Sequence, residues 1–185
     1  FFFFSNAMFP LIEDKDLVIE SLNAFQMEYE STYMKKMSLK LGCELDGEIL
    51  SDLFQLMYDT KIDYTLFFRN LSQESFEMDF EMLSYLKEIP ADLKEKWDVW
   101  LMNYKKNIRC VEVMKKNNPS IIFRNYLAQQ AIDAADQGNY QLIEKYLKEL
   151  EQPFKERDLK TDPLTFKRPM WADDKPGCSF LSCSS

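Results

Sequence analysis

The 185-residue sequence contains no histidine, and this absence excludes several classes of enzyme. Histidine is the commonest general base and metal ligand in proteins. Without it, the chain cannot hold a Ser-His-Asp triad, a Cys-His nucleophile pair or a His-ligated zinc protease motif. We therefore do not expect hydrolytic or zinc-dependent catalysis of these kinds.

Glycine is also scarce, with four residues in the whole chain. Nucleotide phosphates are commonly held by a glycine-rich turn or a helix start, together with a Lys or Arg and a carboxylate that binds magnesium. Gly42 and Gly138 lie where helices are expected to end, and Gly47 and Gly177 lie in linkers. The sequence thus predicts no phosphate-binding loop, no cofactor and no metal site within this chain.

The four cysteines, at positions 43, 110, 178 and 183, do not suggest a disulfide scaffold in a chain of this size. No apolar run approaches the roughly 20 residues that a membrane span needs. No signal peptide is visible, so we expect the reducing cytoplasm. The formal net charge of -8 would repel nucleic acid and acidic membranes, and we expect neither as a partner.

Apolar and aromatic residues are abundant enough for one folded domain. Hydrophobic residues make up 46% of the chain, which includes 15 Phe, 9 Tyr and 3 Trp. A chain of this length buries roughly 70% of the surface that its unfolded form exposes. Since glycine is too scarce for a turn-rich β architecture and apolar residues recur at helical spacing, we predict an all-α fold.

The clearest helical pattern lies between Asn118 and Asn139. Pro119 suits the first turn of a helix, and Gly138 suits the left-handed residue that ends one. The predicted buried stripe consists of Ile122, Leu127, Ala131, Ile132 and Ala135. A second helix, Tyr140 to Leu150, follows with Asn139 as its cap, and its stripe consists of Leu142, Ile143, Tyr146, Leu147 and Leu150. Together they predict a buried helical hairpin.

The residues before this hairpin predict further helices. The first is long, since Asp14 or Asp16 suits its start and Gly42 its end. Its apolar face consists of Val18, Leu22, Phe25, Tyr29, Tyr33 and Met37. Two short helices follow, one over residues 49–57 and one from Tyr64 to Leu71.

Two more stripes complete the helical part of the sequence. The first consists of Phe76, Phe80, Leu83 and Leu86. Pro90 then opens a helix that continues to Asn117, and one face of it is formed by Leu93, Trp97, Trp100, Tyr104, Ile108, Val111 and Met114. At this spacing we expect the two tryptophans to be core residues rather than a stacking platform for a ligand.

Three segments of the chain differ in character. Residues 1–7 contain Ser-Asn-Ala, which is typical of the remnant of a cleaved expression tag, after four Phe that do not resemble native sequence, so we exclude them from fold predictions. Residues 8–152 form the predicted helical domain and begin as expected if an upstream part were missing. Residues 153–185 contain several prolines and no helical periodicity, and they predict an extended C-terminal tail.

Four polar residues are the strongest candidates for a role beyond solvation: Arg124, Asn125, Asp63 and Arg69. Arg124 lies between two aromatic residues on the central predicted helix and could reach a phosphate. However, a buried arginine more often pairs with a carboxylate or binds backbone carbonyls. Asp63 directly precedes a predicted helix and suits its cap. We therefore expect all four residues to be structural.

Several blocks of this sequence, in order along the chain, match the pattern of one known family. The first are Lys40-Leu41-Gly42 and residues 63–72, Asp-Tyr-Thr-Leu-Phe-Phe-Arg-Asn-Leu-Ser. Next come Asn118-Pro119, residues 123–132 (Phe-Arg-Asn-Tyr-Leu-Ala-Gln-Gln-Ala-Ile) and residues 134–138 (Ala-Ala-Asp-Gln-Gly). The last are residues 169–172 (Pro-Met-Trp-Ala) and Cys183-Ser184-Ser185. Over residues 9–185 the chain resembles the C-terminal part of the selenoprotein O family.

This resemblance implies a function that the chain would not perform alone. The family consists of kinase-like proteins, once classed as pseudokinases, that transfer AMP from ATP to protein hydroxyl groups. Its ATP-binding Lys, the paired Glu and the metal-binding Asp and Asn all lie upstream of the matched segment. The resemblance therefore implies ATP and Mg²⁺ as cofactors of the parent enzyme and none for this chain. The implied partners are the upstream catalytic part and the protein substrates, in the cytoplasm or, in some eukaryotic members, in mitochondria.

The resemblance also draws attention to the cysteines of the tail. In the family the residue third from the end is Cys or selenocysteine and is associated with redox control, and Cys183 has that place here. Cys178 is the nearest other thiol. We expect both thiols to be exposed, as redox chemistry requires, and we expect Trp171 to be the main anchor of the tail.

One alternative function remains open at this point. The chain could be a stand-alone helical module that binds other proteins through its acidic surface. A reading frame that starts at Met8 would favour this alternative, and several hundred residues upstream of Met8 would favour the C-terminal part of an enzyme.

Overall fold

The computed structural model describes residues 2–12, 14–44, 46–107, 109–175 and 177–178, and the regular structure of these residues is helical. The helices are α1 (Phe2–Ile12), α2 (Lys15–Leu41), α3 (Gly47–Asp59), α4 (Tyr64–Leu71), α5 (Phe80–Leu83), α6 (Ala91–Tyr104), α7 (Val111–Asn117), α8 (Asn125–Ala135) and α9 (Gln141–Leu150). Two 3-10 turns follow, at Pro163–Thr165 and Met170–Ala172. The all-α prediction is confirmed for this part of the chain, in which no helix is long and apolar enough to cross a membrane.

The chain divides into two compact units, residues 1–39 and residues 40–185. The first unit contains α1 and most of α2, and α1 includes the Ser-Asn-Ala segment at residues 5–7. α2 begins as predicted, because the carboxylate of Asp14 accepts a hydrogen bond of 3.0 Å from the backbone N–H of Leu17. The second unit contains the remaining helices and the described part of the tail.

Gly42 ends α2 in the predicted left-handed conformation. Its φ is +71°, which residues with a Cβ rarely adopt. A Cβ added at this position would lie 2.6 Å from Cγ of Met114, so the fold also needs the missing side chain. The carbonyl of Gly42 accepts a 2.9 Å hydrogen bond from the N–H of Cys110, which joins the end of α2 to the start of α7.

Aromatic rings from α4 and α6 form the centre of the second unit. Phe67 of α4 is fully buried, and its ring centroid lies 5.4 Å from those of Phe68 and Trp97. Trp100 and Tyr104 continue this cluster, with near-parallel rings 5.1 Å apart. α3 packs against α6, where the indole N–H of Trp100 donates to the carbonyl of Ile49 at 2.9 Å. The prediction that the tryptophans are core residues is confirmed.

The prediction of one continuous helix from Pro90 to Asn117 is wrong, because the structure has two helices in this range. α6 ends at Tyr104 and α7 begins at Val111. Between them, the guanidinium of Arg109 donates to the carbonyls of Leu71, Gln73 and Glu74 at 2.8 to 3.3 Å. These bonds join the connection to the chain that follows α4. Tertiary hydrogen bonds of this kind override a helical periodicity that continues through the break.

The stripe from Phe76 to Leu86 also does not form a continuous helix. Only Phe80–Leu83 is helical, with Asp79 as its cap. Ser84 instead forms a bridge with Ile62, and its hydroxyl donates to the carbonyl of Thr60 at 2.6 Å. Phe76 and Leu83 are nevertheless buried, so the apolar pattern identified core positions but not their backbone conformation.

The hairpin prediction is correct for its two helices but wrong for the start of the first. α8 begins at Asn125 rather than near Pro119, because the N–H groups of Ser120 and Ile121 donate to the carbonyl of Pro153. Leu127 and Ala131 are buried as predicted. The predicted members of the two stripes that are exposed instead are Ile122, Ile132, Ile143 and Leu147. Gly138 has the expected positive φ, +80°.

Polar side chains hold the described part of the tail, residues 153–175 and 177–178, against the helices. The Tyr126 hydroxyl donates to the carbonyl of Phe166 at 3.2 Å. The ammonium of Lys167 donates to the carbonyl of Glu81 at 2.6 Å and also to that of Ser84. The N–H of Arg168 donates to the hydroxyl of Tyr85 at 3.1 Å.

Trp171 is not the main anchor of this tail, contrary to the prediction. Its side chain is 47% exposed, although its ring lies edge-on to Tyr126 at 6.2 Å. The buried residues of the tail are smaller, namely Leu159, Thr165, Ala172 and Cys178. Small buried side chains and hydrogen bonds to backbone carbonyls therefore take the role that we had assigned to a large aromatic ring.

Candidate functional site

Asp63 and Arg124, two of the predicted polar residues, form a buried ion pair in the second unit. Asp63 caps α4, where one carboxylate oxygen accepts a 3.0 Å hydrogen bond from the N–H of Leu66. Arg124, just before α8, donates one terminal nitrogen to each carboxylate oxygen, at 2.6 and 2.9 Å. The side chains of Asp63 and Arg124 are 6% and 12% exposed. The pair joins segments that lie 61 residues apart in sequence.

Tyr85 completes this group and links it to the tail. Its hydroxyl donates to the second oxygen of Asp63 at 2.8 Å, and the same hydroxyl accepts the N–H of Arg168. Burial, followed by the negative charge of Asp63, raises the pKa of Tyr85 to about 12. The phenol therefore stays protonated at neutral pH and can keep donating to the carboxylate.

The charge of Asp63 is stabilised although its surroundings are poorly hydrated. Burial by itself would raise the pKa of this carboxyl group, because it disfavours the charged form. The hydrogen bonds and positive charge of Arg124, together with the Leu66 N–H and Tyr85 hydroxyl, more than offset burial and hold the pKa below its usual range. Arg124 is thus engaged by an internal carboxylate, as the structural interpretation of this residue predicts.

Arg69 organises a second polar group around the end of α4. Its side chain is fully buried, and its guanidinium donates to the carbonyls of Lys115 and Asn118, both at 3.1 Å. It also forms a 2.9 Å ion pair with Glu156 of the tail. A buried cation with these partners cross-links α4, α7 and the tail, which is again a structural role.

Asn118 is one of the buried polar residues for which the sequence predicted no role. It is fully buried, and its amide donates to the carbonyl of Lys40 at 2.7 Å and to the hydroxyl of Ser72 at 2.9 Å. The ammonium of Lys40 returns a hydrogen bond of 3.1 Å to its side-chain oxygen. The signal in the sequence was the proline that follows Asn118, which disfavours helix at this position.

Asn125, the fourth predicted polar residue, is not a member of either buried polar group. It is the first residue of α8, next to Arg124, and its side chain is exposed. The structure thus places Asp63 and Arg124 together and Arg69 in a separate buried group, and it leaves Asn125 at the surface.

The cysteines have different environments from those predicted. Cys178 is buried, 4% exposed, in a cluster with Tyr126, Leu127, Ala131 and Tyr146. The expectation of an exposed thiol at Cys178 is therefore wrong, because the tail folds back onto the α8–α9 hairpin. Cys183 lies outside the described residues.

The surface of the second unit carries shallow clefts next to the tail. One of them has a volume of about 700 Å³ and lies between the segment after α4 and residues 157–160. At its edge, Asp79 pairs with Lys160 at 3.2 Å. In the described ranges no group of three or more Cys, Asp or Glu side chains is arranged to hold a metal ion. The ion pairs of Asp63 with Arg124 and of Arg69 with Glu156 cross-link helices and the tail.

Comparison with known proteins identifies what the chain is similar to. The family of the protein adenylyltransferase SelO matches over residues 3–151. Protein nucleotidyltransferase YdiU of Flavobacterium johnsoniae is 33% identical over 201 aligned residues, covering 98% of this chain and 38% of the relative. The proteins of the same name from Tolumonas auensis and Photobacterium profundum are 34% and 36% identical, with 98% and 97% of this chain covered. The chain spans 38% of the length of each of these relatives.

Proposed function

Because the chain belongs to the SelO family of protein adenylyltransferases, we propose that it is the C-terminal helical part of an enzyme that attaches AMP to proteins. The complete enzyme would transfer AMP from ATP to Ser, Thr or Tyr hydroxyl groups of other proteins. Its upstream part would have a kinase-like fold and bind ATP and Mg²⁺. The present chain would support that catalytic part and would not catalyse the transfer alone.

The extent of the match is the observation that carries this proposal. Nearly the whole chain is aligned with each relative, yet most of each relative's length lies outside the alignment. This leaves ample length for a nucleotide-binding part elsewhere in the enzyme. The alternative of a stand-alone interaction module gains no support from these matches.

The internal pairing of buried cations supports a structural role for this chain. Transfer of a nucleotidyl group requires cations and backbone N–H groups that are free to bind phosphates. Here Arg124 donates to Asp63, and Arg69 donates to two carbonyls and Glu156. Arg109 likewise donates to carbonyls of the segment after α4. These arginines hold helices and the tail together.

The environments of the cysteines support a cytoplasmic location and reduce the two redox candidates, Cys178 and Cys183, to one. Cys43, Cys110 and Cys178 are free thiols, which fits a reducing compartment. Because Cys178 is buried, it is a packing residue and a poor target for oxidants. The proposed redox role therefore rests on Cys183 alone, through the place that this residue shares with the family's C-terminal Cys.

Titration with Mg-ATP tests the proposal that the nucleotide site lies outside this chain. We expect the purified chain to show no saturable binding tighter than about 100 μM, which corresponds to roughly −5.5 kcal/mol. The full-length enzyme, titrated in the same buffer, should bind. Saturable binding by the chain alone would mean that it contains a phosphate site, and Arg124→Ala would then show whether this arginine forms it.

A further inference from the structure

Two free cysteines, Cys43 and Cys110, are brought close together by the fold. Gly42 ends α2 directly before Cys43, and its carbonyl accepts a 2.9 Å hydrogen bond from the N–H of Cys110, at the start of α7. With standard backbone dimensions, this hydrogen bond places the Cα atoms of the two cysteines within roughly 7 Å of each other. Disulfide-bonded cysteines have Cα atoms about 4.4 to 6.8 Å apart, so these backbone positions fit a bridge.

The backbone on both sides of this cysteine pair is held in place by buried contacts. The hydroxyl of Tyr104, which is buried, donates to the carbonyl of Leu41 at 2.6 Å and so fixes the end of α2. On the other side, the guanidinium of Arg109 donates to three carbonyls of the segment after α4. The closeness of the two cysteines is therefore a fixed feature of the fold, and a bridge between them requires little movement of the backbone.

Both thiols of the pair are accessible from solvent, which distinguishes them from the buried Cys178. Cys110 is exposed, and Cys43 is half-buried. Burial raises the pKa of the Cys43 thiol, which makes it the less reactive of the two. An oxidant therefore meets the thiol of Cys110 first. Accessible cysteines that lie next to a second, resolving cysteine are typical targets of reversible oxidation.

We propose that Cys43 and Cys110 form an intramolecular disulfide when hydrogen peroxide oxidises the protein, and that this bridge locks the end of α2 to the start of α7. Peroxide converts the Cys110 thiolate to a sulfenic acid and is itself reduced to water. The Cys43 thiolate then attacks the sulfenic sulfur, the S–S bond forms, and the hydroxyl group leaves as a second water. In total the two thiols lose two electrons and two protons, and the peroxide accepts them.

This modification site is independent of the proposed function and of the redox role assigned to Cys183. Both cysteines of the pair lie in the second unit, so the bridge requires neither the upstream catalytic part nor the end of the tail. In a reducing compartment such a bridge is transient, because thiol reductants remove it. It closes a loop of about 70 residues, which restricts the unfolded chain and thereby stabilises the folded one.

Oxidation of the folded chain by hydrogen peroxide, which is then removed with catalase, tests this pairing. After the remaining thiols are blocked, peptide mapping by mass spectrometry should find a cross-linked peptide that joins Cys43 to Cys110. We expect the bridge to raise the thermal midpoint by about 5 to 15 °C, because it closes a long loop. A thiol reductant should reverse both changes.

Two single substitutions separate this pair from the other thiols. Cys110→Ser removes the exposed thiol and keeps a residue that suits the start of a helix. This variant should fold, form no bridge and show no rise of the thermal midpoint with peroxide. Cys183→Ser is the matched control, since it removes a thiol outside the pair, and it should keep both the bridge and the rise.

Several results would overturn this disulfide. One is a cross-link of Cys43 or Cys110 to Cys183 in place of the bridge between them. Another is a disulfide-linked dimer through Cys110 on a non-reducing gel, and a third is a bridge that forms only in urea. Oxidation of Cys110 to the sulfinic acid while the Cys43 thiol stays free would also overturn it, because the resolving thiol would then be out of reach. The wild-type peptide map decides the matter even if Cys110→Ser does not fold.

Discussion

Arg124→Ala is expected to lower the free energy of unfolding by about 3 to 5 kcal/mol, because it leaves the carboxylate of Asp63 buried without its cation. Asp63 is 6% exposed and would keep the Leu66 N–H and the Tyr85 hydroxyl as partners. These neutral donors do not replace a bidentate guanidinium. Urea unfolding followed by circular dichroism measures the loss.

A surface arginine and a double variant provide the controls for this experiment. Arg168 pairs with Asp173 at 2.7 Å, but both side chains are at least one-third exposed. Arg168→Ala should therefore cost no more than about 1 kcal/mol. Asp63→Asn combined with Arg124→Met removes both charges and keeps a residue that can cap α4, so it should recover most of the loss. A cost below about 1 kcal/mol for Arg124→Ala would contradict the buried ion pair.

The ion pair also makes stability depend on pH in a defined direction. The pKa of Asp63 is lower in the folded protein than in the unfolded chain. Its contribution to stability is therefore fully present above the unfolded value of about 4 and is lost as the pH falls through the folded value. In Arg124→Ala this contribution is missing, so the difference in the free energy of unfolding between wild type and variant, measured by urea unfolding, should be largest at neutral pH and should shrink as the pH falls through the folded pKa of Asp63.

Trp100→Ala is expected to cost roughly 3 to 5 kcal/mol, since it removes a large ring from the centre of the second unit. Trp100 is 3% exposed and packs against Tyr104 and Trp97, with ring centroids 5.1 and 5.8 Å away. The substitution leaves a cavity between α3 and α6 and removes the hydrogen bond to the carbonyl of Ile49. Urea unfolding of wild type and variant measures the difference.

Met102 is the matched control for Trp100, because it lies on the same helix with 57% of its surface exposed. Met102→Ala should change the free energy of unfolding by less than about 0.5 kcal/mol. If Trp100→Ala costs less than about 1 kcal/mol, or if the two substitutions cost the same, the assignment of the buried face of α6 is incorrect.

Features of the fold that depend on neighbouring residues were predictable from the sequence. Asp63 caps α4 through a hydrogen bond to a residue three positions later, and Gly42 ends α2 through its own backbone conformation. Trp97 and Trp100 are buried on α6 as their spacing predicts. In each case the relevant interactions are set within one or two helical turns, where sequence patterns are informative.

Features that depend on distant residues were not predictable in the same way. In the connection between α6 and α7, the guanidinium of Arg109 donates hydrogen bonds to carbonyls that lie more than 30 residues earlier in the chain. α8 starts late because Ser120 and Ile121 donate to Pro153. The apolar periodicity continues through both places, so it does not reveal where the backbone leaves the helix.

The partners of the polar side chains could not be predicted from the sequence either, because they also lie far away in the chain. Arg124 was predicted to pair with a carboxylate, but nothing in the sequence identified Asp63 as that carboxylate. Trp171 was predicted to anchor the tail on account of its size, whereas Ala172 is the residue that becomes fully buried. Burial of a tail residue depends on the shape of the surface that receives it, and a single sequence does not contain that shape.

AMP transfer is the most direct test of the central claim, that this chain is a supporting part of an adenylyltransferase whose chemistry lies upstream. The full-length protein and the present chain are incubated separately with ATP, Mg²⁺ and a generic protein substrate, and mass spectrometry then detects AMP on Ser, Thr or Tyr. We predict modified substrate with the full-length protein and none with the chain alone. AMP attached to substrate by the chain alone, or no AMP transfer by the full-length protein, would contradict this account.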